Sequence, residues 1–349
     1  MTSRELNFDQ AGLRYDGIIG TGGIGSGKFF ILNGEHTLGR EESRSGHFLD
    51  VNDYCKQHII LYYIKVLLGK AFRVIPVGKI GNDDTGQLLF TDMSESGFDM
   101  RWIRKEPKAS TLFSFCFYYP DGSGGNMTTD NSASSQVDAG FIESAIPEIK
   151  KLGSRGIVMA APEVPLDARK KLIELGREYG LFCTASFTTG EIDEALKCNI
   201  IDKTDLIAIN SDEAATVAGI SNDGGDTLAM VKMAVQKLVM HNKSIMVSVT
   251  AGKNGSWCWD GNDLHWFPAM KVNAVSTAGA GDAFFSGIIS GLALGLPLFE
   301  AQQLASLVAG LSVCSRDTIH KGIDRYSLKE FLAGSGMIFS ETILKFMED

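Results

Sequence analysis

Gly279-Ala-Gly281-Asp282 runs straight into Ala-Phe-Phe-Ser-Gly-Ile-Ile-Ser-Gly, so small residues and one acid open an apolar helix. Unpaired N–H groups at a helix start form an anion site. A carboxylate inside such a site repels an anion at rest. It is useful there if it takes the proton of a hydroxyl that attacks a phosphoryl group. The pattern points to phosphoryl transfer to a small alcohol. Asp282 is then the general base, and the N–H groups of Gly279, Ala280 and Gly281 gather the charge that shifts during transfer. The plainer reading is a tight turn with an Asp helix cap, worth about 1 kcal/mol.

Two further stretches carry related chemistry. In Asn210-Ser-Asp-Glu213, an Asn and a Glu at a strand end can order a water-clad magnesium beside triphosphate. The same spacing also makes a capping box, with Asn210 as N-cap and Glu213 reaching back. In Val247-Ser-Val-Thr250-Ala-Gly252-Lys-Asn-Gly255, a strand delivers a hydroxyl to a loop with two glycines. As a nucleotide site, Thr250 and the Gly252 backbone face phosphate; as plain structure, it is a common strand and turn.

The elements that must position these loops alternate. The expected strands include Gly17–Gly20, Phe72–Val77, Gly156–Ala160, Leu181–Ala185, Asp205–Ile209 and Ser244–Thr250. Helices are expected over Tyr54–Gly69, Pro165–Tyr179, Thr227–His241, and about 281–295 and 299–314. Gly255–Pro268 reads as a hairpin turning at Asp260-Gly261-Asn262. Repeated strand–helix units predict a mainly parallel sheet covered on both faces. Ligands in such sheets sit beyond the carboxyl ends of the strands. The glycine-rich stretch after the first strand, Asn210, Ala251-Gly252 and the 279–282 loop all fall at that edge. The aromatic run Thr111-Leu-Phe-Ser-Phe-Cys-Phe-Tyr-Tyr breaks the alternation. It turns at Pro120-Asp-Gly-Ser-Gly-Gly and predicts a small sheet added to the α/β core.

Composition bounds the partners. The 349 residues are 44% hydrophobic and 21% charged, enough for a substantial core, and the net charge of −9 argues against nucleic acid or an anionic membrane surface. The six cysteines are scattered without CxxC pairs, as in a reducing compartment. MTSRELNFDQ lacks a basic start followed by an apolar run, so no signal peptide and a cytoplasmic location are expected. Phe284 to Phe299 is apolar but short, with three glycines and a proline, which fits a core helix and not a membrane span.

Taken in order, Asn210-x-x-Glu213, Val249-Thr250-x-Gly252-x-x-Gly255 and Gly279-Ala-Gly-Asp282 with its helix resemble the ribokinase-like, or PfkB, carbohydrate kinase family. Pro76-Val-Gly-Lys-Ile-Gly81-Asn-Asp83-Asp-Thr-Gly86, the 110–130 hairpin and Pro162-Glu-Val-Pro165 resemble other family segments, so the likeness covers nearly the whole chain. It implies one ribokinase-like α/β domain over 1–349, with a mainly parallel central sheet flanked by helices. A small β-sheet lid is expected from segments at about 28–50 and 108–132. It implies ATP-dependent phosphorylation of a sugar or sugar-like alcohol. Asp282 serves as base, Gly279, Ala280 and Gly281 as anion hole, and Asn210 and Glu213 manage magnesium and phosphate. Thr250, Gly252 and Gly255 lie along ATP, with Ser306 near adenine. A homodimer through the lid is expected.

The acceptor half departs from the family. Ser276-Thr277 stands where members have Asp-Thr, so no monovalent cation is assigned. Gly22-Gly23-Ile24-Gly25 lacks the acid that members carry after the first strand, and Asp53-Tyr-Cys-Lys-Gln-His58 lacks the family's Gly-Gly-x-x-x-Asn. Arg40, Asp53 and His58 are the residues expected to contact the acceptor instead, Arg40 suiting one that already bears an acidic group.

Gly20-Thr-Gly22-Gly-Ile-Gly25 also satisfies a dinucleotide fingerprint, and Gly22 to Lys28 mimics a P-loop. No helix follows, Phe29–Leu32 reads as a strand, and Phe29 replaces the magnesium-binding Ser/Thr. The glycines are better read as letting the strand end approach a ligand or a neighbouring loop. The rivals to a sugar kinase are a nucleoside kinase of the same fold and a non-catalytic sugar- or nucleotide-binding regulator. An intact base argues against the regulator.

Overall fold

The structure, a computed structural model, describes residues 4–7, 12–121 and 123–348. Most of the opening decapeptide, and Gly122 in the turn of the aromatic hairpin, lie outside the described residues. Nine strands form the central sheet in the order β14 (Leu264–Phe267), β13 (Ser256–Trp259), β12 (Met246–Thr250), β11 (Leu206–Asn210), β10 (Phe182–Ser186), β9 (Gly156–Ala160), β1 (Gly17–Thr21), β5 (Arg73–Gly81) and β6 (Ile103–Glu106). The seven strands from β12 to β6 pair in parallel, and the β13–β14 hairpin adds two antiparallel strands at one edge.

Alternating residues send side chains to opposite faces, and both faces are apolar. Ile18, Val74, Ile157 and Leu206 pack under the Lys56–Leu68, Ala280–Ala293 and Leu298–Ser312 helices. Ile19, Ile75, Val158 and Ile207 pack under Leu166–Glu178, Ser211–Ala218 and Thr227–His241. The expected strands and helices are found within two residues at most ends. β5 runs on to Gly81, four residues past its expected end. The chain then enters a helix over Asp84–Glu95, capped by Asp83, whose Oδ1 accepts from the Gly86 amide at 2.8 Å.

A second, smaller sheet stands apart, in the order β3 (Gly46–Phe48), β2 (Gly25–Leu32), β7 (Leu112–Tyr118), β8 (Gly124–Thr128), with β4 (Asp53–Tyr54) also paired to β2. One of its faces carries Phe30, Phe48 and Phe115 in ring contact, and Phe48, Phe113 and Met127 are 60%, 41% and 55% exposed.

The glycine-rich stretch joins β1 to β2 and neither opens a helix nor wraps a free cavity. The Gly23 and Gly25 carbonyls accept the Gln57 and Cys55 amides at 3.2 and 3.1 Å, capping the Lys56–Leu68 helix. A side chain at Gly23 would collide with Glu163, and one at Gly27 with the Asp53 carboxylate. The neighbour these glycines admit is the chain itself.

Candidate active site

Gly279 turns the chain with φ +77° into the Ala280–Ala293 helix. That is left-handed backbone, which glycine enters at little cost. The Ala280 amide donates to the Thr277 carbonyl at 3.2 Å, and the Ala283 amide to that of Gly279 at 2.9 Å. The amides of Gly279, Gly281 and Asp282 have no partner among the described residues. Of the three amides expected to form an anion hole, those of Gly279 and Gly281 are therefore free to meet an anion, whereas the Ala280 amide is occupied by its own turn.

Asp282 sits in the first turn with 14% of its side chain exposed. Burial raises its pKa, against the opposing pull of Lys56. The Lys56 ammonium lies 3.8 Å from Asp282 Oδ1, and the charges of Asp282, Glu163 and Glu213 raise its own pKa. Lys56 and Glu163 were not among the expected site residues. Lys56 begins a helix, where the macrodipole disfavours a cation. An otherwise apolar helix opening on a lysine is thus a signal that anions stand opposite. Glu163 holds φ 76°, unusual for a residue with a side chain, and its Oε2 accepts from the Lys56 amide at 3.0 Å. Burial pushes its carboxyl up to about 7.

The capping box is present in full. Asn210 Oδ1 accepts from the Asp212 and Glu213 amides, both at 2.9 Å, and Glu213 Oε2 accepts from the Asn210 amide at 2.8 Å. This leaves Oε1 of Glu213 toward a cleft it shares with Lys56, Thr250, Gly281 and Asp282. Burial pushes Glu213 up to about 7. Among the described residues no three His, Cys, Asp or Glu side chains cluster to cage a metal. Magnesium keeps most of its water and takes one or two carboxylates plus phosphates, so Glu213 fits that need, and Asn210 acts by fixing it.

Beyond the turn lies a cavity of about 490 Å³ lined by Thr250, Gly252, Gly255, Ala280, Gly281 and Ser306 among others. The expected nucleotide residues are thus brought together. Gly252 and Gly255 both have positive φ, and the Trp266 Nε1 donates to the Asn254 carbonyl between them at 3.0 Å. Ser306 donates to the Gln302 carbonyl at 2.9 Å, which leaves its hydroxyl oxygen as an acceptor.

The three expected acceptor residues separate. Asp53, on β4, is 6% exposed; burial and the nearby Asp282 push it up to about 6, against the pull of the neighbouring Thr318 and Ser114 hydroxyls and the Tyr54 amide. His58 is fully buried and turned elsewhere, its ring against Tyr54 and Phe98 and its Nε2 3.6 Å from Asp92 Oδ2. Burial lowers its pKa to about 4, so it is neutral. The expectation for His58 is corrected: positions 56 and 58 lie about 200° apart around a helix, and Lys56 takes the site face. Arg40 is exposed on the polar excursion between β2 and β3 and does not line the clefts around Asp282, so this structure does not bring it into the site. Neighbouring Glu42 organises that excursion by accepting from the Gly39 amide and Arg44.

The raised carboxylates couple acidity to stability. Asp53 and Glu163 titrate near 6 and 7 in the fold and near 4 unfolded. Between those values the folded chain binds more protons, so stability falls as pH rises across the window. Carboxylates lowered by ion pairing, such as Asp99 beside Arg101, act only at more acid pH. The base role expected of Asp282 needs it ionised. Lowering the pH from about 8 to about 5.5 is expected to raise the melting temperature by a few degrees while turnover falls. Thermal melts and initial rates in matched buffers check this.

The comparisons with known proteins give the family and the fold. The family model described as pfkB family carbohydrate kinase matches residues 63–324. The deoxyribokinase of Salmonella typhi is 24% identical over 249 residues, covering 70% of this chain and 77% of its own. The ribokinase of Giardia lamblia superposes with TM-score 0.77 at 19% identity, over 90% of this chain and 98% of that one. The ribokinase of Arabidopsis thaliana, solved with ribose and ATP, gives 0.72 at 16% identity, over 91% and 99%. The structural matches show a ribokinase-like fold.

Proposed function

The chain belongs to the pfkB family of carbohydrate kinases, which are ATP-dependent phosphotransferases, and from that premise we propose that it moves the γ-phosphoryl of ATP to a hydroxyl of a sugar or sugar-like alcohol at Asp282. The single observation that carries this is Asp282 itself. It stands in the first turn of the helix that opens on the free Gly279 and Gly281 amides, in a cleft shared with Glu213 and Thr250, with one ammonium 3.8 Å away.

The adenosine part lies between the 252–255 turn and Ser306, and the phosphates run toward Gly281. Thr250 and the Gly279 and Gly281 amides receive phosphoryl oxygens. Lys56 neutralises charge on the transferring group, and Asp282 takes the acceptor proton as the new O–P bond forms and the bond from the γ-phosphorus to the bridging oxygen breaks, releasing ADP. Asp53 and Glu163 accept from further acceptor hydroxyls. Glu213 would hold magnesium through its waters, and the ion would supply charge neutralisation on the phosphates.

The carboxylates around Lys56 suit a polyhydroxylated reacting end. A larger cavity of about 660 Å³ opens beyond it, between the smaller sheet (Phe29, Tyr118, Tyr119) and Ser276, Thr277 and Arg316. That room favours acceptors larger than a free pentose and gives nucleosides a place as the second reading. The test is ADP release from ATP and magnesium against sugars, sugar acids, polyols and nucleosides. Acceptor-dependent ADP supports the proposal and names the class. ATP binding without turnover on any acceptor would instead mark a sugar- or nucleotide-binding regulator.

The smaller sheet closes over the acceptor as a lid, and its aromatic face meets a second copy. Exposed aromatics in one patch support this. Phe48→Asp with Phe113→Asp is expected to convert a sedimenting dimer to monomer; an unchanged sedimentation coefficient would remove the lid contact. No helix among the described residues is long and apolar enough to cross a membrane.

A further inference from the structure

Thr318 touches both halves of the site. It lies in the segment after the Leu298–Ser312 helix and is 3% exposed. Its amide donates to the Asn52 carbonyl at 3.2 Å, and its hydroxyl accepts from the Tyr54 amide at 2.8 Å. The same hydroxyl stands near enough to the Asp53 carboxylate to pull its pKa down. Because it accepts from the Tyr54 amide, its own proton stays available to face that carboxylate. Its carbonyl oxygen stands against Gly279, where a Cβ would come within 2.8 Å of it and within 3.4 Å of the Thr318 Cβ. Asp317 fastens the contact, accepting from the Asn52 amide at 2.8 Å and from its side chain at 3.3 Å. The strand that bears Asp53 pairs with the smaller sheet, and Gly279 opens the anion hole. One residue thus joins the acceptor side to the phosphate side.

We infer that Thr318 is a positioning residue that fixes Asp53 and the Gly279 turn relative to one another, so that an acceptor held by Asp53 presents its hydroxyl to Asp282. This rests on the phosphoryl-transfer reading above. The hydroxyl also favours the Asp53 charge against burial and neighbours that oppose it: the Asp282 and Glu163 carboxylates, and the Cys55 and Cys116 thiols. Ser114, from β7, and the Tyr54 amide pull the same way, although the Ser114 hydroxyl donates to Asn126 Oδ1 at 2.8 Å and the Tyr54 amide to Thr318.

The test compares Thr318→Val, which keeps the shape and removes the hydroxyl, with Thr318→Ser, which keeps the hydroxyl. Thr318→Ala serves in place of the valine variant if that does not fold. In Thr318→Val the acceptor KM is expected to rise about tenfold. The acid limb of kcat/KM should move to higher pH, the ATP affinity should stay, and Thr318→Ser should restore both changes. Independently of turnover, the ¹³C-carboxyl titration of Asp53, assigned by its loss in Asp53→Asn, should move upward in Thr318→Val. A folded Thr318→Val with an unmoved Asp53 titration overturns the inference, as does an unmoved acceptor KM. If the unmodified protein turns over no acceptor, the kinase reading fails, and the Asp53 titration still decides the role of Thr318.

Discussion

Asp282→Asn is expected to lose about 10²–10⁴-fold in turnover while still binding ATP. The asparagine keeps the shape and cannot take a proton, so the loss isolates proton transfer from positioning. The same change should raise the melting temperature. Burial opposes the Asp282 charge and only Lys56 supports it, so a neutral amide removes a cost that the folded chain carries for function. Single-turnover ADP formation, ATP affinity by calorimetry and a thermal melt give the three readings. Turnover within tenfold of the unmodified protein would dismiss Asp282 as base.

Lys56→Met comes next, with an expected loss of about 10²–10³-fold in kcat. Two effects combine. The transferring phosphoryl loses an ammonium, and Asp282, Glu163 and Glu213 lose the cation that draws their pKa values down. Asp282 then holds its proton to higher pH, so the acid limb of the rate profile moves upward. A methionine keeps the stem that covers the helix start. Because Lys56 and Asp282 act on one event, the double variant should be scarcely slower than Asp282→Asn alone. A pH–rate profile unmoved in Lys56→Met would show that Lys56 only neutralises charge at a distance.

The residues that were legible in the sequence are those whose chemistry is local. Gly279 to Asp282, the 250–255 turn and the Asn210–Glu213 pair each declare themselves within a few residues, and the structure brings them to one strand edge. Glu163 and Lys56 were not legible, because each gains meaning from a partner far along the chain. Glu163 needs Gly23 to vacate its place and the Lys56 amide to hold it. The short strands β3, β4 and β6 have too few residues for alternation to register, and β4 is fixed by pairing with β2. Arg40 and His58 have side chains that could meet an acceptor, and nothing near them in sequence says where those side chains point. Helix geometry separates position 58 from position 56, and the excursion that carries Arg40 closes on Glu42 through Gly39 and Arg44.

The edge hairpin of the central sheet has a spectroscopic consequence. Three of the four tryptophans, Trp257, Trp259 and Trp266, lie on it, and the indole of Trp266 is bonded to the turn that borders the 490 Å³ cavity. If ATP occupies that cavity as proposed, the turn cannot adjust to its base without altering the polarity around that half-exposed ring. Under that proposal the chain carries its own optical gauge of nucleotide occupancy, readable in unlabelled protein and in variants that no longer turn over.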